Sequence, residues 1–81
     1  MNRLEALGLA IREARLERNI SQERLAGAAN LHRNVIGLIE RNVSNPAISS
    51  LYAIADALGV PASKLVARSE EIANRDGSPA P

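Results

Sequence analysis

The segment of residues 21–42 constrains the fold more than any other, because it holds two short apolar stripes on either side of one tight turn. Leu25 and Ala29 recur at helical spacing behind Ser21, a residue type that caps helix starts. Asn30 tolerates a left-handed backbone and marks the turn to a second helix. Small alanines let two helices cross closely at a steep angle. The pattern predicts a helix-turn-helix unit.

The second helix of this unit, predicted over residues 32–41, has one apolar face and one polar face. The apolar stripe is formed by Leu31, Ile36 and Ile39, with Val35 beside them. The opposite face carries no acidic residue and consists of Arg33, Asn34, Gly37, Leu38 and Arg41. Because an exposed helix face usually mixes both signs of charge, this face is predicted to contact a partner.

Helical spacing elsewhere predicts an all-α chain of five short helices. They are expected at about residues 3–18, 22–28, 32–41, 49–58 and from Pro61 onward. Asn19 and Gly59 are expected to end the first and fourth helices in left-handed backbone. Apolar anchors are lost after Ile72, so residues 1–73 are predicted to form one domain and residues 74–81 a flexible tail.

Composition excludes several function classes. The 81 residues include no cysteine and a single histidine, His32, so no metal site or cofactor is expected. No apolar run approaches the ~20 residues of a membrane span, and Glu5 and Glu13 interrupt the start, so neither a span nor a signal peptide is predicted. A cytoplasmic location is the expectation. Ten lysine and arginine residues against nine acids permit nucleic-acid binding without demanding it.

A family resemblance lies in two stretches, SQERLAGAANLHRNVIGLIERN and NPAISSLYAIADALGVPASKLV. They resemble the helix-turn-helix transcription regulators of the Cro and phage-repressor type, also called the XRE family. Within that family the chain is similar to small regulators such as the controller proteins of restriction–modification systems, and it also resembles phage repressors and antitoxins. The resemblance covers about residues 7–67. It implies a compact five-helix, lambda-repressor-like domain that binds double-stranded DNA through its second and third helices.

The resemblance also implies roles for individual residues. The positions expected to face base edges are Arg33, Asn34, Gly37 and Leu38. The positions expected to contact DNA phosphates are Gln22, His32, Arg41, Asn42, Ser44 and Asn45, and Gln22 is also expected to brace the third helix. Arg15 and Glu40 correspond to a buried ion pair between the first and third helices. The chain departs from the family pattern at Asn30, His32, Leu38 and Pro61, and Leu38 stands where a polar base contact is common.

The chemistry of these residue types agrees with that mapping. Arginine can bind O6 and N7 of guanine through two hydrogen bonds, and asparagine can do the same for adenine. Gly37 permits a close approach to DNA, whereas Leu38 can only pack against a thymine methyl group. Plainer roles remain open at this point: Arg33 could be solvated surface, Gln22 an ordinary helix-start residue, and His32 a turn or cap residue.

A homodimer is expected, formed through the fifth helix with help from the fourth. Its interface is expected to include Tyr52, Leu65, Val66 and Ile72, although Tyr52 and Ile72 could equally be ordinary core or edge residues. The predicted function is a transcriptional regulator that binds (pseudo)palindromic operators. An antitoxin-type interaction module that also binds its own promoter is the alternative, and a long wrapping extension would favour it. Neither a nucleophile–histidine pair nor a glycine-rich phosphate loop points to an enzyme, and no small-molecule ligand is expected.

Overall fold

The computed structural model describes residues 1–75 and contains five helices in that range, which confirms the all-α prediction. Their bounds are α1 Arg3–Glu17, α2 Gln22–Ala28, α3 Val35–Glu40, α4 Ile48–Leu58 and α5 Ala62–Arg75. Across these described residues no helix is long and apolar enough to cross a bilayer.

Local chemistry sets most helix ends. Asn2 and Ser21 cap α1 and α2, since their side-chain oxygens accept hydrogen bonds from the backbone N–H groups of Glu5 (2.8 Å) and Arg24 (3.0 Å). Left-handed backbone follows α1, α2, α3 and α4 at Asn19 (φ 56°), Asn30 (φ 58°), Asn42 (φ 58°) and Gly59 (φ 73°). Glycine and asparagine are the residues that adopt this conformation most readily, so the chain reverses after each of these helices.

Two predicted boundaries differ from the structure by two or more residues, and the others agree within one residue. The third helix begins at Val35 rather than at His32, because residues 32–34 form a turn instead. In that turn the backbone N–H of Asn34 donates to His32 Nδ1 (3.3 Å), and the N–H of Val35 donates to the His32 carbonyl (2.9 Å). The last helix continues to Arg75, two residues beyond the predicted domain boundary. Of the predicted tail, residues 76–81 lie outside the described residues.

One hydrophobic core joins all five helices. The largest fully buried side chains come one from each of the first four helices: Ile11, Leu25, Ile36 and Ile54. From α5, Leu65 completes the cluster and is only 3% exposed. The expectation that Leu65 forms part of a dimer surface is therefore wrong, because the rotation of α5 turns this residue inward and its neighbour Val66 outward.

α1 fixes the position of α3 through an unusually close crossing. Gly8 lies against the backbone of Ile39 and Glu40, so that a Cβ at this position would overlap the carbonyl oxygen of Ile39. Only glycine allows two helix backbones to approach in this way. The other side of α1 packs along α5, where Arg68 binds both carboxylate oxygens of Glu13 at 2.7 and 3.0 Å. α1 thus holds α3 on one side and α5 on the other.

Candidate nucleic-acid interface

The outer face of α3 and the turn before it form one continuous surface. Arg33, Asn34 and Arg41 are exposed, while Leu38 is half-buried. These four residues line a single shallow depression together with Gly37 and Gln22. The structure therefore brings the four predicted base-contacting positions together. Arg33 and Asn34 precede the first residue of α3, so they project from the N-terminal end of the helix and not from its middle.

Gly37 does not provide the open surface expected from the sequence. It is buried, and a Cβ placed on it would lie 3.0 Å from a terminal nitrogen of Arg41 and 3.2 Å from Oε1 of Gln22. The side chains of Arg41 and Gln22 therefore cover Gly37 in this structure. The end of the long Arg41 side chain is free to swing away from Gly37, whereas the amide of Gln22 is held by a hydrogen bond of 3.0 Å to Glu40.

A buried ion pair holds the C-terminal end of α3. Arg15 Nε donates to Glu40 Oε2 at 2.7 Å, and a terminal nitrogen of Arg15 donates to Oε1 at 3.0 Å. The other terminal nitrogen donates to the carbonyl oxygen of Ile20 at 2.8 Å. The two side chains are only 10% and 2% exposed. This planar, two-pronged contact fixes both the distance and the angle between α1 and α3, and it raises the pKa of Arg15.

Gln22 extends this pair to α2. Its Nε2 donates to Glu40 Oε1 at 3.0 Å, so the carboxylate of Glu40 is bound from α1 and α2 at once. The sequence comparison with the family assigned both a phosphate contact and a bracing role to Gln22. In the structure the amide nitrogen of Gln22 is hydrogen-bonded to Glu40, which corresponds to the bracing role. Among the described residues no buried side-chain nitrogen or oxygen lacks a hydrogen-bond partner, so the braced network is fully satisfied.

The charge of this surface is positive. Glu40 is the one acid in residues 30–47, and it is buried and neutralised by Arg15. Arg33 and Arg41 form no ion pair within residues 1–75. After α3 the loop residues Asn42, Ser44 and Asn45 are exposed beside them, as is His32 in the preceding turn. Cationic and polar groups on one surface suit an anionic, groove-bearing polymer.

A second surface is apolar. Tyr52 and Val66 are 59% and 41% exposed, and they border the same groove as Ile48, which is 69% exposed. Ile48 is not among the interface residues predicted from the sequence, although it stands one helical turn before Tyr52 and shares its face. Ile72 does not belong to this surface. It lines a separate groove between α1 and α5, so the four residues expected at the dimer interface do not share one face.

These features define a helix-turn-helix domain of the DNA-binding type, and comparison with known proteins agrees. The helix-turn-helix family model matches residues 11–65. Control protein C.SmaI of Serratia marcescens is 41% identical over 64 residues, which cover 79% of this chain and 76% of the relative. The immunity repressor of Bacillus phage phi105 is 43% identical over 60 residues, and the matched segment spans 74% of this chain but only 42% of the repressor.

Solved structures show the same relationship. The restriction–modification controller protein C.AhdI from Aeromonas hydrophila superposes with a TM-score of 0.75 at 32% sequence identity, covering 76% of this chain and 94% of that one. The chain belongs to the helix-turn-helix family of transcription regulators. This membership confirms the predicted fold and the predicted class, a DNA-binding regulator rather than an enzyme.

Proposed function

We propose that this chain binds two-fold symmetric operators as a homodimer, with one α3 in the major groove of each half-site. The observation that supports this most directly is the bracing of α3. A six-residue helix is too short to be stable alone, yet here α1 and α2 both bind its last residue. Such rigid support is what a helix needs if it is to present side chains to base pairs in a fixed register.

In this proposal Arg33 and Asn34 contact bases, because they project from the leading end of α3 and their side chains form no hydrogen bond or ion pair among the described residues. Leu38 packs against thymine methyl groups, and Gly37 marks the point of closest approach. Arg41, His32 and the loop residues Asn42, Ser44 and Asn45 contact phosphates, which fix the register without distinguishing sequences.

The dimer is proposed to form through the apolar surface of α4 and α5. Exposed large side chains at Ile48, Tyr52 and Val66 make a patch of the kind that marks a protein interface. Dimers of helix-turn-helix domains read half-sites about one helical turn apart, so the two α3 helices are proposed to lie about 34–36 Å apart in successive major grooves. One small module alone would bind DNA weakly, so the dimer supplies much of the affinity.

Selection of bound sequences from a random DNA pool tests the operator, its symmetry and the half-site spacing together. On the selected operator, Arg33→Ala should weaken binding by about 1–3 kcal/mol and relax the preference for guanine at one base pair per half-site. The matched control is Arg41→Ala, which should weaken binding to operator and random DNA alike. If Arg33→Ala weakened binding to operator and random DNA equally, its guanidinium would contact the DNA backbone instead of a base. The assignment of Arg33 as a base contact would then lose its main support.

Sedimentation at micromolar concentration tests the dimer. Tyr52→Ala and Ile48→Glu should shift the protein toward the monomer, whereas Ile72→Glu, on the other flank of α5, should leave the dimer intact. A wild-type monomer that binds a single, unrepeated half-site would contradict the proposal, and so would dissociation caused only by the change at Ile72.

A further inference from the structure

A groove of about 520 Å³ runs between α1 and α5, and the proposed DNA interface does not use it. Its apolar side chains are Leu9, Leu16 and Ile72, of which Leu16 is 55% exposed. Gly8 and Arg15 are the residues of α1 that face α3. Leu9 and Leu16 are the residues that directly follow them in the sequence. One residue corresponds to about 100° around a helix. The groove therefore opens on a flank of α1 turned away from the DNA-binding surface.

The groove is also separate from the apolar surface proposed for the dimer. Ile72 and Val66 are six residues apart on α5, which places them about 120° from each other around the helix axis. Val66 borders the groove that contains Tyr52, and Ile72 borders the groove that contains Leu16. The two flanks of α5 thus present two distinct apolar surfaces.

Two arginine side chains flank the α1/α5 groove. Arg12 and Arg75 line it, are exposed, and form no ion pair within residues 1–75. The acid among the lining residues, Glu13, is neutralised by the two-pronged contact from Arg68. Arg75 lies near enough to add to the effect of Arg68, which lowers the pKa of Glu13. An apolar floor with two unpaired cations at its edge is complementary to an apolar stripe flanked by acids.

We propose that the α1/α5 groove binds an acidic amphipathic helix of a partner protein. The apolar stripe of that helix would lie on Leu9, Leu16 and Ile72, and its carboxylates would meet Arg12 and Arg75. An amphipathic helix in a groove between two helices is a common mode of peptide recognition. A second copy of this chain is disfavoured at this surface, because it would bring the same arginines face to face. DNA is disfavoured because phosphates gain nothing from three apolar side chains.

The probe for this proposal is a synthetic peptide with leucines spaced i, i+4 and i+7 and glutamates on both flanks. Its control has the same leucines with lysines in place of the glutamates. In a methyl NMR titration of the full chain, the acidic peptide should shift the signals of Leu9, Leu16 and Ile72 and saturate below about 1 mM. The signal of Ile48 should stay in place. Binding should weaken as the salt concentration rises.

Combined Arg12→Ala and Arg75→Ala substitutions should raise the Kd for the acidic peptide about tenfold, equivalent to about 1.4 kcal/mol. Operator binding and helix content should not change. Arg3→Ala is the matched control, since it removes an exposed α1 arginine outside the groove and should leave the Kd unaltered. Equal binding of the lysine peptide, or shifts at Ile48 in place of Ile72, would overturn the proposal.

Two further outcomes would assign the groove to another occupant and equally overturn the proposal. Shifts of the Leu16 and Ile72 signals on addition of operator DNA alone would make the groove a DNA contact. Shifts of the same signals on dilution without peptide would make it an interface between copies of this chain.

Discussion

Replacing Arg15 by alanine should destabilise the protein far more than any ordinary arginine substitution. Arg15 binds both carboxylate oxygens of Glu40 at 2.7 and 3.0 Å and the carbonyl of Ile20 at 2.8 Å. Its removal leaves a carboxylate that is 2% exposed with Gln22 as its remaining side-chain donor. Breaking a buried pair by removing one partner costs about 3–5 kcal/mol, because the other charge stays buried and uncompensated.

Urea denaturation at a fixed protein concentration measures this loss, since a dimer would otherwise make the midpoint depend on concentration. Thermal denaturation should agree, at about 4–8 °C per kcal/mol for a domain of this size. Arg68→Ala is the matched control, because Arg68 makes an equally two-pronged contact with Glu13 whose carboxylate is 42% exposed. Water can solvate Glu13 once its partner is gone, so this loss should be much smaller.

Replacing both Arg15 and Glu40 by leucine should recover most of the stability that Arg15→Ala removes, because no buried charge is then left unpaired. If Arg15→Ala cost no more than Arg68→Ala, the pair would be no stronger than an exposed one. If the double variant were less stable than Arg15→Ala, the loss would come from packing and not from the stranded carboxylate.

Three further predictions concern packing and charge elsewhere in the fold. Gly8→Ala should lower the free energy of unfolding by about 1–3 kcal/mol, since its methyl group would meet the Ile39 backbone. Gly27→Ala, with open space around the added carbon, should raise it by up to about 1 kcal/mol, and a loss at Gly27 would contradict this argument. Leu65→Ala should cost about 2–5 kcal/mol in urea denaturation, whereas Val66→Ala should hardly change monomer stability but should weaken association in sedimentation. Glu13 has a lowered pKa in the folded protein, chiefly through its hydrogen bonds to Arg68, so the ion pair stabilises the fold fully above the ordinary value of 4.5, and this contribution is lost as the pH falls from there through the lowered pKa. The difference in Tm between the wild type and Arg68→Ala should therefore shrink in acid, and a constant difference would show that the pair contributes nothing.

Local signals in the sequence predict helix ends well. Ser21 forms the expected cap, and Asn19, Asn30 and Gly59 have the expected left-handed backbone. In each case the property belongs to one residue and its immediate neighbours, so it does not depend on the rest of the fold. The start of α3 is harder to predict, because His32 supplies a cap-like acceptor to Asn34 that histidine rarely provides.

Rotation about a helix axis depends on tertiary contacts and is less visible in sequence. Leu65 and Val66 are adjacent apolar residues, and only the packing of α5 against α1 and α4 decides which of them is buried. Leu16 fits the helical spacing of α1 yet is 55% exposed, whereas the small residue Ala10 on the same helix is buried. The hydrogen bond from Gln22 to Glu40 joins two helices. The sequence therefore could not show that the amide nitrogen of Gln22 binds a residue of the protein instead of a DNA phosphate.

Three left-handed asparagines, Asn19, Asn30 and Asn42, separate the helices of residues 3–40 and follow the last of them. The number of residues between these turns therefore matters as much as which residues they are. Each reversal uses one left-handed residue, so the next helix starts at a fixed angle to the last. Ile36 and Ile39 anchor α3 in the core, so a residue inserted after Asn30 would lengthen the turn before the helix and leave the helix in place. Arg33, which lies in that turn, would then change position relative to α3 with every side chain still present. In the proposed mode of binding, substitutions along α3 change the recognised site within an unchanged frame, whereas an insertion or deletion in this turn displaces Arg33 and Asn34 together.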